Sequence, residues 1–122
     1  MFEKLFDRLK RHFLGRKSFR KSWRVPEQRY FFERVEGKFP PELKTNTLYV
    51  LTENDVPWEA ALICPCGCGE RIELNLLPDE HPRWSYNVTR SGLPSLHPSV
   101  NRYVGCKSHF FLRRGRIVWA FL

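Results

Sequence analysis

The chain has 122 residues and a mass of 14.6 kDa, which fits one domain of ordinary size and excludes a two-domain enzyme. Hydrophobic residues make up 42% of the chain and aromatic residues 15%, a composition that can close a core and argues against disorder of the whole chain. No uninterrupted apolar run approaches the roughly 20 residues of a membrane-spanning helix. We therefore expect no membrane span.

The net charge of +8 is concentrated at the N-terminus. Residues 1–24 hold nine Lys or Arg side chains against two acidic ones, whereas residues 25–122 hold twelve against eleven. A folded body that wraps a nucleic-acid backbone needs a basic face of its own, and this body is nearly neutral. We divide the chain into a basic arm, residues 1–24, and a single domain, residues 25–122.

The arm has the pattern of a short basic amphipathic helix. Its apolar side chains recur at helical spacing, at Phe2, Leu5, Phe6, Leu9 and Phe13. Such a helix docks on the domain or on a second copy of it, or it binds an acidic partner, a nucleic acid or an anionic membrane surface. Because the N-terminus lacks the features of a signal peptide, we expect a cytoplasmic protein with reduced thiols.

Beyond the arm the pattern becomes extended. Runs of aromatic and β-branched residues, or alternation of apolar with polar residues, predict strands over residues 29–35, 47–51, 58–64, 71–76 and 84–89. The segments 109–113 and 116–121 flank Arg114-Gly115 and predict a β-hairpin. The fold class that follows is mainly β, a small antiparallel sheet of zinc-ribbon type, with the N-terminal basic amphipathic helix.

The strongest chemical signal is the run Cys64-Pro65-Cys66-Gly67-Cys68-Gly69. It places three thiols on a turn of small residues, where backbone amides can approach the sulfurs, and reduced thiols this close favour a metal over disulfides. Tetrahedral zinc needs a fourth ligand from distant sequence, which Cys106 or His109 can supply.

We expect Zn²⁺ in a closed structural site with four cysteine ligands, Cys64, Cys66, Cys68 and Cys106. Two alternatives stay open. In one, His109 is a ligand and a cysteine is left over; in the other, zinc is itself catalytic, with three protein ligands and a water. Iron is a further possibility for the ion, although a mononuclear sulfur-rich site makes zinc the default.

Ser99 and His109 form the second candidate site. Ser108 and His109 are adjacent, and adjacent side chains of a strand point to opposite faces, so these two cannot form a dyad. Ser99 lies in a Pro-rich loop and can meet His109 across the fold, as activation of a hydroxyl requires. The alternative is that Ser99 caps a turn and that His109 is buried or bound to the metal.

Two further groups of side chains receive structural interpretations. The indoles of Trp58, Trp84 and Trp119 fall at core-facing positions, which favours packing over base stacking. Arg113, Arg114 and Arg116 cluster at the hairpin tip, where a solvated turn is the default and binding of an acidic peptide or a carboxylate terminus is the alternative.

The segment from Trp58 to Trp119 resembles a family of small bacterial proteins of unknown function. The motifs that carry the resemblance are Cys64–Glu70, Arg83-Trp84, Pro98–Val100 and Gly105–Phe111, followed by the Gly115 hairpin. Members of this family are encoded beside genes for a ubiquitin-like modifier and its activating-type and conjugating-type enzymes. The resemblance implies that the chain acts in a bacterial ubiquitin-like conjugation pathway and that these proteins are its partners.

The resemblance also implies a serine-type peptidase that processes or removes the modifier. The catalytic role then falls on Ser99 and His109, with the cysteines holding a structural zinc. For the hydrolase hypothesis we consider Glu70 as a third group that orients the imidazole. The competing hypothesis is a non-catalytic zinc-binding adaptor that binds a partner protein or nucleic acid through the basic arm. A separation of about 3 Å between Ser99 and His109, beside a groove, favours the peptidase, and positions on opposite sides of the domain favour the adaptor.

Overall fold

A computed structural model describes residues 28–120 of the chain. These residues form nine strands and no helix. The strands are β1 (Phe31–Glu36), β2 (Thr47–Glu53), β3 (Val56–Ile63), β4 (Arg71–Asn75), β5 (Ser85–Val88), β6 (Pro94–His97), β7 (Val100–Asn101), β8 (His109–Arg113) and β9 (Arg116–Trp119). Between residues 28 and 120 there is accordingly no helix that is long and apolar enough to cross a membrane.

The nine strands are divided among three sheets. The first has the order β1-β2-β3-β4, in which β1 and β2 run parallel and the other neighbours run antiparallel. The second is the antiparallel pair β5-β6, and the third is the antiparallel sheet β7-β8-β9. Residues 37–46, which include Pro40-Pro41, connect the two parallel strands.

The predicted fold class is wrong. The described residues are all-β, but their strands form three sheets with one parallel pair, not one small antiparallel sheet of zinc-ribbon type with a helix. Alternation of apolar and polar residues locates strands, yet it does not determine which strands pair or in which direction. The predicted helix, and the acidic-surface or nucleic-acid binding expected of residues 1–24, lie outside the described residues.

The strand positions themselves agree well with the sequence pattern, including the hairpin of β8 and β9. Two strands were missed, β6 and β7, because both are short and β6 begins with Pro94. A proline is tolerated at the first position of a strand but weakens the strand pattern. Ser99 therefore lies between two short strands and not in a long loop.

Buried side chains from all three sheets meet in one hydrophobic core. They include Leu48 and Val50 of β2, Leu62 of β3, Leu96 of β6 and Phe110 of β8. Burial of this apolar surface is the main favourable term in folding. The core thereby fixes the third sheet, which carries His109, against the first sheet, which leads into the cysteines.

Trp84 and Trp119 pack against this core, but Trp58 is 44% exposed, so the prediction for Trp58 is wrong. The reason is a β-bulge. In the pairing of β2 with β3, Leu51 is opposite Glu59 and the next pair is Thr52 with Pro57, which leaves Trp58 without a partner. A bulged residue falls out of the strict alternation that the prediction assumed.

The β8–β9 turn is tied to the rest of the fold at Gly115. Arg114 and Gly115 both have positive φ, 47° and 77°, as a tight hairpin turn requires. A Cβ atom at Gly115 would lie 2.9 Å from the Tyr30 carbonyl oxygen. The Gly115 amide donates to the Pro94 carbonyl at 2.7 Å, and its carbonyl accepts from the Tyr30 amide at 2.7 Å. Glycine is therefore required here by both conformation and space.

We expect Phe110→Ala to destabilise the fold by about 3–5 kcal/mol, because it removes a fully buried ring from the core. Phe31→Ala is the matched control, since the Phe31 side chain is 54% exposed, and it should cost less than about 1 kcal/mol. Urea unfolding followed by tryptophan fluorescence measures both. Equal losses of stability in the two variants would contradict the assignment of the core.

Candidate active site and metal centre

The first three cysteines lie on a turn that leaves the end of β3. Gly67 and Gly69 have φ values of 95° and 82°, a conformation that side chains rarely adopt. The turn closes with a hydrogen bond of 2.9 Å from the Cys64 amide to the Glu70 carbonyl. Within it the Cys68 amide donates to Cys66 Sγ at 3.3 Å, and the Glu70 amide donates to Cys68 Sγ at 3.4 Å. As expected from the sequence, backbone amides face the sulfurs.

The loop between β7 and β8 brings Cys106 to this turn. The four Sγ atoms of Cys64, Cys66, Cys68 and Cys106 lie within 4.8 Å of one another. The Sγ atoms of Cys64 and Cys106 are 3.7 Å apart, and four sulfurs at about 2.3 Å from a tetrahedral ion are separated by roughly 3.8 Å. The four cysteines therefore lie within metal-binding distance. Among the described residues His109 is not a member of this cluster.

Polar groups surround the sulfurs and compensate part of their charge. The Ser108 hydroxyl lies 3.2 Å from Cys106 Sγ and 3.7 Å from Cys64 Sγ. Arg102 donates through Nη1 to Cys106 Sγ at 3.8 Å and through Nη2 to Glu70 at 2.8 Å. Second-layer contacts of this kind orient metal ligands.

The environments of two of the thiols differ strongly. The hydrogen bond from Ser108 lowers the pKa of the Cys106 thiol to about 6, whereas burial raises the pKa of the Cys64 thiol to about 12. A thiolate at the buried Cys64 position needs a nearby positive charge to be stable. A bound metal ion supplies that charge, and this chemistry agrees with the spacing of the sulfurs.

Ser99 and His109 lie close together on the side of the β8 start that faces away from the sulfurs. Ser99 lies between β6 and β7, His109 is the first residue of β8, and Ser99 Oγ is 2.9 Å from His109 Nε2. The Ser99 carbonyl accepts a hydrogen bond of 3.2 Å from Trp84 Nε1. Both side chains are half-buried. A hydroxyl at this distance from an imidazole nitrogen can transfer its proton to the ring.

Within residues 28–120, the His109 ring is positioned by an aromatic neighbour and by its strand, not by a hydrogen bond to a carboxylate. The His109 ring stacks on Phe111, with centroids 6.0 Å apart and planes inclined by 30°. The His109 carbonyl accepts from the Ala120 amide at 2.9 Å, which continues the ladder between β8 and β9. Glu70, expected as the orienting group, instead accepts from Arg102 beside the sulfurs. That expectation was wrong.

The start of β8 separates the two sites. Ser108 points to the sulfurs of Cys64 and Cys106, and the next residue, His109, points to Ser99. The prediction that adjacent side chains face opposite sides is confirmed here. The sulfur cluster and the Ser–His pair are therefore distinct sites, which lie on opposite faces of the chain where β8 begins.

The sequence pattern did not identify Asn101 as a neighbour of His109. The two residues are directly opposite in the pairing of β7 with β8. The Arg102 amide donates a hydrogen bond of 2.8 Å to the Ser108 carbonyl. Hydrogen-bonded and non-hydrogen-bonded pairs alternate along an antiparallel ladder, so the next pair, Asn101 and His109, is a non-hydrogen-bonded one. Opposite side chains lie closest in pairs of this kind. Only the strand register reveals this neighbour. Trp84, in contrast, could be found from the sequence, because it belongs to the Arg83-Trp84 motif.

A protein-family model described as "Bacterial ubiquitination-like system serine protease (BubE)" matches residues 35–120. The matched region contains the four cysteines, Ser99 and His109. No curated protein and no solved structure matches the chain significantly.

We expect the purified protein to carry one metal ion per chain, because the four sulfurs form one tetrahedral set. Cys106→Ser should lose most of that metal, since a closed site then lacks one sulfur. His109→Ala should keep it, since the imidazole is outside the cluster. Element analysis by mass spectrometry, on protein purified without chelators, measures the metal content. Loss of metal from the His109 variant, or a metal-free wild type, would contradict this assignment.

Proposed function

The chain belongs to the BubE family of bacterial ubiquitination-like system serine proteases, and from this premise we propose that it hydrolyses the bond that links a ubiquitin-like modifier to its tail or target. Ser99 is the nucleophile and His109 the general base. The observation that carries the proposal is the distance of 2.9 Å between Ser99 Oγ and His109 Nε2. The family description supplies the type of reaction and the cellular system.

In the first step His109 Nε2 takes the hydroxyl proton of Ser99 while Oγ attacks the carbonyl carbon of the scissile bond. The resulting tetrahedral intermediate carries a negative charge on the former carbonyl oxygen. When it collapses, the bond to the leaving group breaks, and the His109 imidazolium donates its proton to the departing nitrogen or oxygen. The modifier is then held as an ester on Ser99.

In the second step a water molecule replaces the leaving group. His109 takes one proton from this water as the oxygen attacks the ester carbonyl, and the bond to Oγ then breaks. The proton returns to Ser99, and the modifier leaves with a free carboxylate. The hydrogen bond from Trp84 to the Ser99 carbonyl and the stacking of His109 on Phe111 hold the two groups in position for both steps.

We propose that the ion bound by Cys64, Cys66, Cys68 and Cys106 is zinc and that its role is structural. Four thiolate ligands close the coordination shell of tetrahedral zinc, which leaves no open position for water or substrate. The sulfur cluster also lies on the side of the β8 start that faces away from Ser99. The element analysis described above identifies the ion, and iron in its place would contradict this part of the proposal.

The partners that follow from this proposal are the ubiquitin-like protein and its activating or conjugating enzymes, in a bacterial cytoplasm that keeps the thiols reduced. We further propose that residues 25–122 form the peptidase domain and that residues 1–24 form a separate basic arm. The family match begins at residue 35, so residues 1–24 lie outside it.

Ser99→Ala and His109→Ala should each reduce cleavage of the ubiquitin-like protein by at least about 1,000-fold, because each removes one partner of the proton transfer. Their metal content should stay at the wild-type value. Ser91→Ala and His81→Ala are the matched controls, because both residues are exposed and no hydrogen bond within residues 28–120 joins either side chain to Ser99, His109 or Trp84. Intact-mass spectrometry of the modifier, with metal content measured in the same samples, provides the readout. Cleavage that persists in the Ser99 variant would refute the assignment of the nucleophile.

A chain that begins at residue 25 should still bind its metal and cleave the modifier, because the four cysteines and the Ser–His pair all lie within residues 25–122. The same mass-spectrometric assay and element analysis measure both properties. A truncated chain that binds metal but no longer cleaves would show that the arm contributes to the peptidase.

A further inference from the structure

The outer face of the third sheet joins the Ser–His pair to the arginine cluster. Along β8, Phe110 and Leu112 point into the core, so His109, Phe111 and Arg113 share the opposite face. Their cross-strand partners on that face are Asn101 for His109, Val118 for Phe111 and Arg116 for Arg113. We call these six residues the β8 strip.

Contacts within the β8 strip are continuous. The His109 ring stacks on Phe111 at 6.0 Å between centroids, and the Arg113 guanidinium carbon lies 4.4 Å above the centre of the Phe111 ring. Val118, opposite Phe111, is exposed. The strip therefore presents His109 of the Ser–His pair, then an apolar surface, then a cationic group, in that order along β8.

A cavity of about 500 Å³ lies at the cationic end of the β8 strip, and its lining consists of Arg29, Leu93, Arg113, Arg114, Arg116 and Val118. Four of these six side chains are guanidinium groups. None of the four ion pairs formed within residues 28–120 involves Arg113 or Arg114. Guanidinium groups bind carboxylates through paired hydrogen bonds, and the cavity therefore has the chemistry of a carboxylate site.

We propose that the β8 strip binds the polypeptide next to the scissile bond and that Arg113 and Arg114 select a carboxylate about four residues from that bond. This rests on the proposed function of Ser99 and His109. His109 and Arg113 are four residues apart on β8, which corresponds to about 14 Å at the rise of a strand. An extended substrate has a similar rise per residue. An apolar side chain of the substrate then covers Phe111 and Val118.

The carboxylate has two possible sources, an acidic side chain of the substrate or a free chain terminus. Both present the same group to the guanidiniums. Two changes to the substrate distinguish these sources. Replacing Glu or Asp by Gln or Asn removes the carboxylate of an acidic side chain only. Extending the terminus by one glycine and an amide removes the carboxylate of the chain terminus only.

The test compares Arg113→Gln/Arg114→Gln with Lys38→Gln, a control at an exposed cation in the loop between β1 and β2. We expect the double variant to lower kcat/KM for the ubiquitin-like protein of the system about tenfold, mainly through KM, because two charge-assisted contacts are lost. Hydrolysis of p-nitrophenyl acetate should be unchanged, since that ester is too small to reach the arginines. The control variant should match the wild type with both substrates.

A double-mutant cycle then locates the carboxylate. Each acidic residue within six positions of the cleaved bond is changed in turn to its amide, and the terminus is extended as described above. One of these changes should lower kcat/KM of the wild type about tenfold and have no further effect on Arg113→Gln/Arg114→Gln. If no change to the substrate is coupled to the two arginines, the proposal is overturned.

Two measurements separate failure of this inference from failure of the proposed function. Labelling of Ser99 by a fluorophosphonate probe reports on the Ser–His pair alone, and its absence contradicts the proposed function. Affinity of the Ser99→Ala protein for the uncleaved ubiquitin-like protein needs no catalysis. A Kd that rises about tenfold on adding the two arginine substitutions supports the carboxylate site, and an unchanged Kd overturns it.

Discussion

The packing of four cysteine sulfurs against one another joins two parts of the fold that are far apart in sequence. Cys64 follows β3 and Cys106 precedes β8, and their Sγ atoms are 3.7 Å apart. Four thiolates at such distances repel one another, and the buried Cys64 is costly to ionise alone. A cation among the sulfurs attracts the thiolates, and it thereby offsets both their mutual repulsion and the cost of ionising Cys64. The entry into β8 is then fixed relative to the first sheet, and the position of His109 depends on that entry.

Adjacent side chains of a strand point to opposite faces, so the two residues where β8 begins belong to two separate sites. Ser108 faces the sulfurs and His109 faces Ser99. A slip of one residue in the register of β8 would exchange the two faces. Burial of Phe110 and Leu112, and pairing of Phe110 with Trp119, oppose such a slip. The sulfur cluster and the hydrophobic core thus act together to hold His109 Nε2 at Ser99 Oγ.

The sequence predicted the local chemistry of this protein better than its architecture. Thiol spacing at Cys64, Cys66 and Cys68 identified the cluster because metal ligation imposes a local pattern. The parallel pairing of β1 with β2 and the division into three sheets had no such signal, because pairing depends on contacts between distant segments. Likewise, the bulge at Trp58 and the Arg102 contact of Glu70 depend on tertiary structure.

The Phe111 ring links the reacting pair to the cationic end of the β8 strip, since it contacts both His109 and Arg113. All three residues are carried by one strand whose intervening side chains are buried. Their separation is therefore set by the rise of a strand and not by a loop, and sites on regular elements are held more accurately than sites on loops. On the proposed function, a substrate that is cleaved at Ser99 and bound at Arg113 then presents its carboxylate about four residues from the scissile bond. Selection by spacing, in addition to charge, is the consequence of building both ends of the strip on β8.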